Sequence, residues 1–340
     1  MRKFDAAFFF AGFAPFFAHL AVKALTAKAA KVSQSARRKP LHHLGTRRIP
    51  RHRTLCRITI SLNELSGNWC NMEALRQPAV AGRFYPGDRT ALMEDLESYL
   101  SPAGASKPAL GCIAPHAGYV YSGPVAGAVY ANIDVPQRCV VLCPNHTGRG
   151  RPLAIMSSGA WQTPLGPVQI DSALANTLKE QFRLVSEDSE AHRGEHAIEV
   201  QLPFLQKRQP HFTFVPIALG TGNFETLEKL GESLAEALNA QDEPVLIVAS
   251  SDMNHYESDR ITRVKDHKAI ERILALDPRG LYETVIREDI SMCGFGPAVA
   301  MLTAAKILGA TSATLIKYAT SGDVSGDREM VVGYAGVVVR

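Results

Sequence analysis

With 340 residues, 46% hydrophobic and 21% charged, the chain has room for one large domain or two small ones and the make-up of an ordinary globular protein. Its net charge of +4 conceals an asymmetry: residues 1–71 hold thirteen Lys and Arg against Asp5 and Glu64, leaving 24 basic and 31 acidic residues for the rest. The body lacks a basic stripe with interleaved aromatics, which argues against a nucleic-acid partner, and the most apolar stretch, 6–25, is interrupted by Pro15, His19 and Lys23, which argues against a membrane span.

Arg2 and Lys3, followed by a Phe-rich run, imitate a signal or transit peptide. The stretch with Arg37-Arg38-Lys39 and Arg47-Arg48 has neither helical nor strand period. Met72 stands where the globular pattern begins. Residues 1–71 are therefore read as a basic, disordered leader, either a misassigned upstream extension or a targeting segment, and 72–340 as the folded domain.

The body alternates. A helix is expected over 90–100, then a strand over 110–114 that stops at Pro115-His116, then a small-residue helix over 124–131. A second strand, 139–143, stops at Pro144-Asn145-His146. Short strands at 153–156 and 168–170 flank a loop around Trp161; helices follow over 172–182 and 198–205, with a strand at 213–219 and a helix at 225–238. A third strand, 245–249, runs into Ser250-Ser251-Asp252-Met253-Asn254-His255. Helices over 265–276 and 297–308 and strands over 314–318 and 331–339 complete the domain. Strands alternating with helices give a single three-layer α/β domain, its mainly parallel central sheet covered by helices.

Three apolar strands that each end in histidine are the most telling feature of this pattern. In a parallel sheet the ligand crevice lies beyond the carboxyl ends of the strands, so three imidazoles are delivered to one rim. Neutral imidazole is the commonest metal-binding side chain, and His116 and His146 are read as ligands. Six cysteines show no CxxC pair; Cys112, Cys139 and Cys143 lie within apolar runs as buried thiols, and only Cys293, at a turn-like element end, is placed for chemistry in a reducing cytoplasm. His192-Arg193-Gly194-Glu195-His196 fits the H-x-x-E-H pattern of inverted zinc peptidases, but Gly inside the helix that motif needs makes the match weak. His196 with Glu195 and Glu199 instead offers an acid–base pair at the crevice. Ser250, Asp252 and His255 lack the G-x-S-x-G elbow of a serine hydrolase, and the acidic run 322–327 reads as a tight turn.

The residues resemble a known family. Pro78-Ala79-Val80-Ala81-Gly82-Arg83-Phe84-Tyr85-Pro86, Ala114-Pro115-His116-Ala117-Gly118-Tyr119, Cys143-Pro144-Asn145-His146, Glu195-His196-Ala197-Ile198-Glu199, Ser250-Ser251-Asp252 with His255, Cys293-Gly294 and Ser321-Gly322-Asp323 follow in order as in the Memo family, called AmmeMemoRadiSam system protein B in prokaryotes. The resemblance covers about 72–340. It implies an α/β domain like that of class III extradiol-type dioxygenases, with a metal held by His116, His146 and Cys293. Iron or copper is the implied ion, with zinc as a further option, because a thiolate is softer than the carboxylate of the dioxygenases. His196 and His255 are the implied proton-transfer groups, with Asp252 orienting His255 or binding substrate and Glu195 beside them. The function expected is metal-dependent redox or oxygen chemistry. The alternatives are a non-catalytic adaptor that binds a phosphorylated or anionic peptide, with Arg149 and Arg151 as anion contacts, and a metallohydrolase using Glu195. A radical-SAM protein and a small partner protein are the partners the resemblance implies.

Overall fold

A computed structural model describes residues 75–101 and 105–340. The expectations for the basic leader, for Cys56 and Cys70 and for the 6–25 stretch lie outside the described residues. In chain order the elements are β1 (Leu75–Arg76), α1 (Arg89–Tyr99), β2 (Gly111–Ala114), α2 (Tyr119–Ala131), β3 (Arg138–Pro144), β4 (Leu153–Ile155), β5 (Ala160–Thr163) and β6 (Gly166–Gln169). They continue with α3 (Ser172–Gln181), β7 (Ser186–Glu187), α4 (Glu190–Arg193), α5 (Leu202–Arg208), β8 (Thr213–Leu219), α6 (Phe224–Asn239), β9 (Val245–Ser250) and β10 (His255–Glu257). The last are α7 (Asp259–Leu274), α8 (Pro278–Arg287), α9 (Phe295–Ile307), β11 (Ala313–Thr320), α10 (Gly322–Ser325) and β12 (Val331–Val339).

The main sheet has nine strands in the order β10-β12-β2-β9-β3-β8-β4-β7, with β11 beside β12. Its centre, β2-β9-β3-β8, is parallel; β12 joins β2 antiparallel, and β4 joins β8 antiparallel. Alternation along β3 shows why both faces are buried. Val140 and Leu142 pack with Leu227, Leu234 and Val299 on one side, and Cys139, Val141 and Cys143 with Val129, Tyr130 and Phe204 on the other. Side chains of a strand alternate faces, so an unbroken apolar run is what a sheet covered by helices on both sides requires. The three-layer α/β arrangement is thus present, with a mixed sheet whose parallel part is its core. Among the described residues no helix is long and apolar enough to cross a membrane.

Four local expectations need correction. The helix after His116 begins at Tyr119 rather than at the proline, and Pro124 sits inside it. Pro cannot donate to the carbonyl of Val120, and Val120 lies on the exposed side of the helix at 56% accessibility, where water can replace the lost donor. Trp161 is not in a loop: β5 and β6 form a hairpin that buries its indole completely. Helix α8 is absent from the sequence reading although Asp277-Pro278 is a helix-start signal, with the Asp277 side chain accepting the Gly280 N–H at 2.8 Å. Short β10 places His255 on a strand, paired with β12, where only a loop is expected.

Candidate metal centre

The carboxyl ends of β2, β9 and β3 are neighbours in the sheet; the loops leaving β2 and β3 carry His116 and His146, and β9 ends at Ser250, whose loop leads to His255 at the start of β10. His116 is 1% exposed. Its backbone N–H donates to Asp252 Oδ1 at 2.7 Å, and its Nδ1 lies 2.9 Å from Ser250 Oγ. That hydroxyl has one proton, which goes to the Ala197 carbonyl at 2.7 Å, and it already accepts from Gln201 Nε2 at 2.8 Å. Only an Nδ1–H can complete the set, so His116 turns an unprotonated Nε2 toward Cys293 Sγ, 3.2 Å away.

His146 is held by one carboxylate at two points. Its backbone N–H donates to Glu195 Oε2 at 2.6 Å and its Nδ1 to Glu195 Oε1 at 2.9 Å. Glu195 is fully buried and also accepts the backbone N–H groups of His196 (2.9 Å) and Ala197 (3.0 Å). Burial alone would raise this carboxyl, but the His146 charge and these donors outweigh it and hold Glu195 below the usual carboxylate range. The same pairing, together with the Cys293 thiol, lifts His146 above the ordinary imidazole range against the opposing effect of burial. Both ligating candidates thus have Nδ1 committed to an acceptor and Nε2 left for the site, the arrangement that orients metal-binding histidines.

Cys293 arrives from the loop before α9. Gly294, which follows it, sits so close to the end of β9 that a Cβ would lie 2.4 Å from the Ser250 carbonyl oxygen and from Ser251 Cβ. The Gly294 N–H donates to Ser251 Oγ at 3.1 Å, which fixes this approach. Burial raises the Cys293 thiol, with His146 pulling the other way. One ligand atom each from His116, His146 and Cys293 falls within 4.8 Å of the others. Bonds of about 2.1 Å to nitrogen and about 2.3 Å to sulfur in a tetrahedral arrangement separate ligand atoms by roughly 3.6 Å, so this donor set fits one transition-metal ion. A second grouping, His146, Glu195 and His196, meets the same spacing, but Glu195 is occupied by three backbone N–H groups and the His146 ring.

The other expected residues are distributed around this core. The His196 ring stacks on His146 with centroids 4.8 Å apart, lies 5.5 Å from the His116 ring and packs against Phe84. His255 turns its Nδ1 to the Ser291 carbonyl at 2.9 Å, and its backbone N–H donates to Ser291 Oγ. Burial pushes both His196 and His255 down to about 4. Asp252 does not orient His255: its carboxylate takes the His116 backbone N–H, and burial raises it to about 7. Glu199 is not an acid–base partner of His196; it is fully buried and accepts from Arg76, the Ala79 and Val80 N–H groups and the Tyr85 hydroxyl. Helix α4 ends at Arg193 before Gly194, so His192 and His196 do not share a helical turn, and the buried His192 packs against Trp161 instead. Arg149 faces Glu190 at 4.0 Å, which competes with any anion, and Arg151 is exposed.

Gln201, Ser291 and Arg76 are contributors that the sequence reading overlooks, and Ser250, weighed there only for a serine hydrolase, orients His116 instead. Gln201 carried a signal: it is a polar residue inside the apolar run 198–205, and it is fully buried.

The family pattern described as Memo-like protein matches residues 76–338. A MEMO1 family protein of Methanopyrus kandleri is 45% identical over 279 residues, covering 78% of this chain and 99% of the relative. One from Methanosarcina barkeri is 45% identical over 268 residues, covering 78% of this chain and 100% of the relative. A third, from Methanothermobacter thermautotrophicus, is 41% identical over 273 residues, covering 77% and 99%. A looser likeness, with a TM-score of 0.48 and 14% identity over 67% of this chain and 98% of the other, is to an uncharacterized protein of Escherichia coli K12. A family pattern spanning the whole helix-covered sheet, from Arg76 to Val338, and relatives matched over almost their full length make this chain a member of the Memo family.

Proposed function

We propose that His116, His146 and Cys293 hold one iron or copper ion, and that the protein is a metal-dependent oxidoreductase of the dioxygenase-like kind. The observation that carries this reading is the convergence of one ring nitrogen each from His116 and His146 with Cys293 Sγ within 4.8 Å, with both Nδ1 atoms committed to acceptors. The two-nitrogen, one-sulfur donor set favours copper(I), zinc or thiolate-ligated iron. When bound, a redox-active ion supplies electron transfer and dioxygen activation. The protein's own residues supply proton handling. His255, its Nδ1–H held by Ser291, offers Nε2 as a neutral base at pH 7, because burial keeps the imidazole from charging. His196, stacked on His146, is the second such group. A reducing cytoplasm, which keeps Cys293 a thiol, is the setting this chemistry needs.

The metallohydrolase alternative is less well supported, since its general base would be Glu195, whose carboxylate is committed to the His146 ring and to the backbone N–H groups of His146, His196 and Ala197. Anaerobic titration with iron(II) and copper(I) tests the main reading. It requires about one ion per chain, lost in His116→Ala and His146→Ala, and oxygen uptake by the loaded wild type. Unchanged binding in both variants would sink it.

A further inference from the structure

Arg76 stands at the end of β1, 8% exposed, with its guanidinium over the Trp161 ring at 4.0 Å. Its three nitrogens reach three points of one short segment. Nε donates to the His192 carbonyl at 2.8 Å, one terminal nitrogen to the Glu195 carbonyl at 2.6 Å and the other to Glu199 Oε2 at 2.8 Å. The two carbonyls flank the Arg193-Gly194 turn, where α4 ends and the Glu195 N–H reaches the His192 carbonyl only at 3.4 Å. Glu195 projects from this turn and takes both N–H groups of His146.

We infer that Arg76 is a positioning residue for the centre: it clamps the 192–199 turn, and so sets the Glu195 carboxylate that orients His146. A planar fork stacked on an indole can meet three acceptors in fixed directions; an ammonium, as a point charge on a flexible stem, cannot. Buried ion pairs are weak contributors to net stability, so the geometric role is the one that the three-point contact explains. The inference rests on the metal-centre reading for its purpose, but its test reads the metal-free protein.

The probe is the low-field Nδ1–H proton of His146 in metal-free protein, assigned by its loss in His146→Ala, with the Nδ1–H of His116 as internal reference. In wild type both are expected to be protected from solvent exchange by their hydrogen bonds. In Arg76→Lys, and in Arg76→Gln as the second variant, the His146 signal is expected to disappear into solvent exchange while that of His116 persists. Cobalt(II) affinity of the same variants is expected to fall about 10–100-fold, the usual effect of disturbing an outer-shell partner. Persistence of the His146 signal in either folded variant would overturn the assignment. So would joint loss of both signals in the two variants, which makes Arg76 a brace of the whole fold. A wild type that binds no cobalt(II) would remove the metal reading, while the proton signals still decide the role of Arg76.

Discussion

Ser250 Oγ joins three groups: it accepts from His116 Nδ1–H and Gln201 and donates to the Ala197 carbonyl. Ser250→Ala leaves a buried imidazole N–H and a buried carbonyl without this partner. The expected cost is about 1–3 kcal/mol in urea unfolding, together with a weaker hold on the metal as His116 loses its fixed tautomer. An unaltered unfolding midpoint would show that this hydroxyl is not the pivot. The histidines themselves were legible because each ends an apolar strand. Their orienting partners were not, since nothing in a one-dimensional pattern says that Ser250 on β9 and Gln201 before α5 meet over the β2 loop.

Between elements, the decisive approach is that of the α9 N-terminus to the end of β9. It is possible because Gly294 has no Cβ, which would meet backbone at 2.4 Å. Gly294→Ala therefore forces the Cys293 loop outward. The expected outcome is a loss of about 1–3 kcal/mol from overpacking and a fall in metal affinity, read by unfolding and titration of the same sample. A variant that binds metal like wild type would mean Cys293 reaches the site without this contact. Period-2 and period-3.6 apolar patterns carried most of the elements; 213–219 and 331–339 are strands to the residue. The misreadings fell where tertiary packing overrides local signals. Pro124 sits inside a helix whose surroundings tolerate it, and Trp161 is drawn into a hairpin by burial against Phe214 and beneath Arg76.

Across the whole molecule, a hydrogen-bond network ties α7 and β11 to the His255 loop. Asp266 on α7 accepts the Asn254 N–H at 2.8 Å and the Tyr318 hydroxyl at 2.7 Å, and Asn254 Oδ1 accepts from Ser291, the residue that holds His255. Burial raises the Asp266 carboxyl to about 7, against about 3.9 in an unfolded chain. The folded state therefore binds the extra proton: this stabilising contribution is complete below about pH 4 and is lost as pH rises through about 7. Asp266→Asn cannot titrate. The wild-type urea midpoint should fall relative to that of the variant between about pH 4 and about pH 7. A pH-independent difference would mean that Asp266 is ionised throughout. Gly333 belongs to the same network, since a Cβ there would run into the Asp266 carboxylate at 1.8 Å.

The most direct test of the account is X-ray absorption at the metal edge of protein loaded with iron(II) or copper(I) under anaerobic conditions. Two imidazole nitrogens and one sulfur at about 2.3 Å are expected in wild type, with the sulfur scatterer absent in Cys293→Ser and the nitrogen shell retained. A wild-type spectrum with nitrogen and oxygen neighbours alone, or a sulfur signal that survives Cys293→Ser, would contradict it.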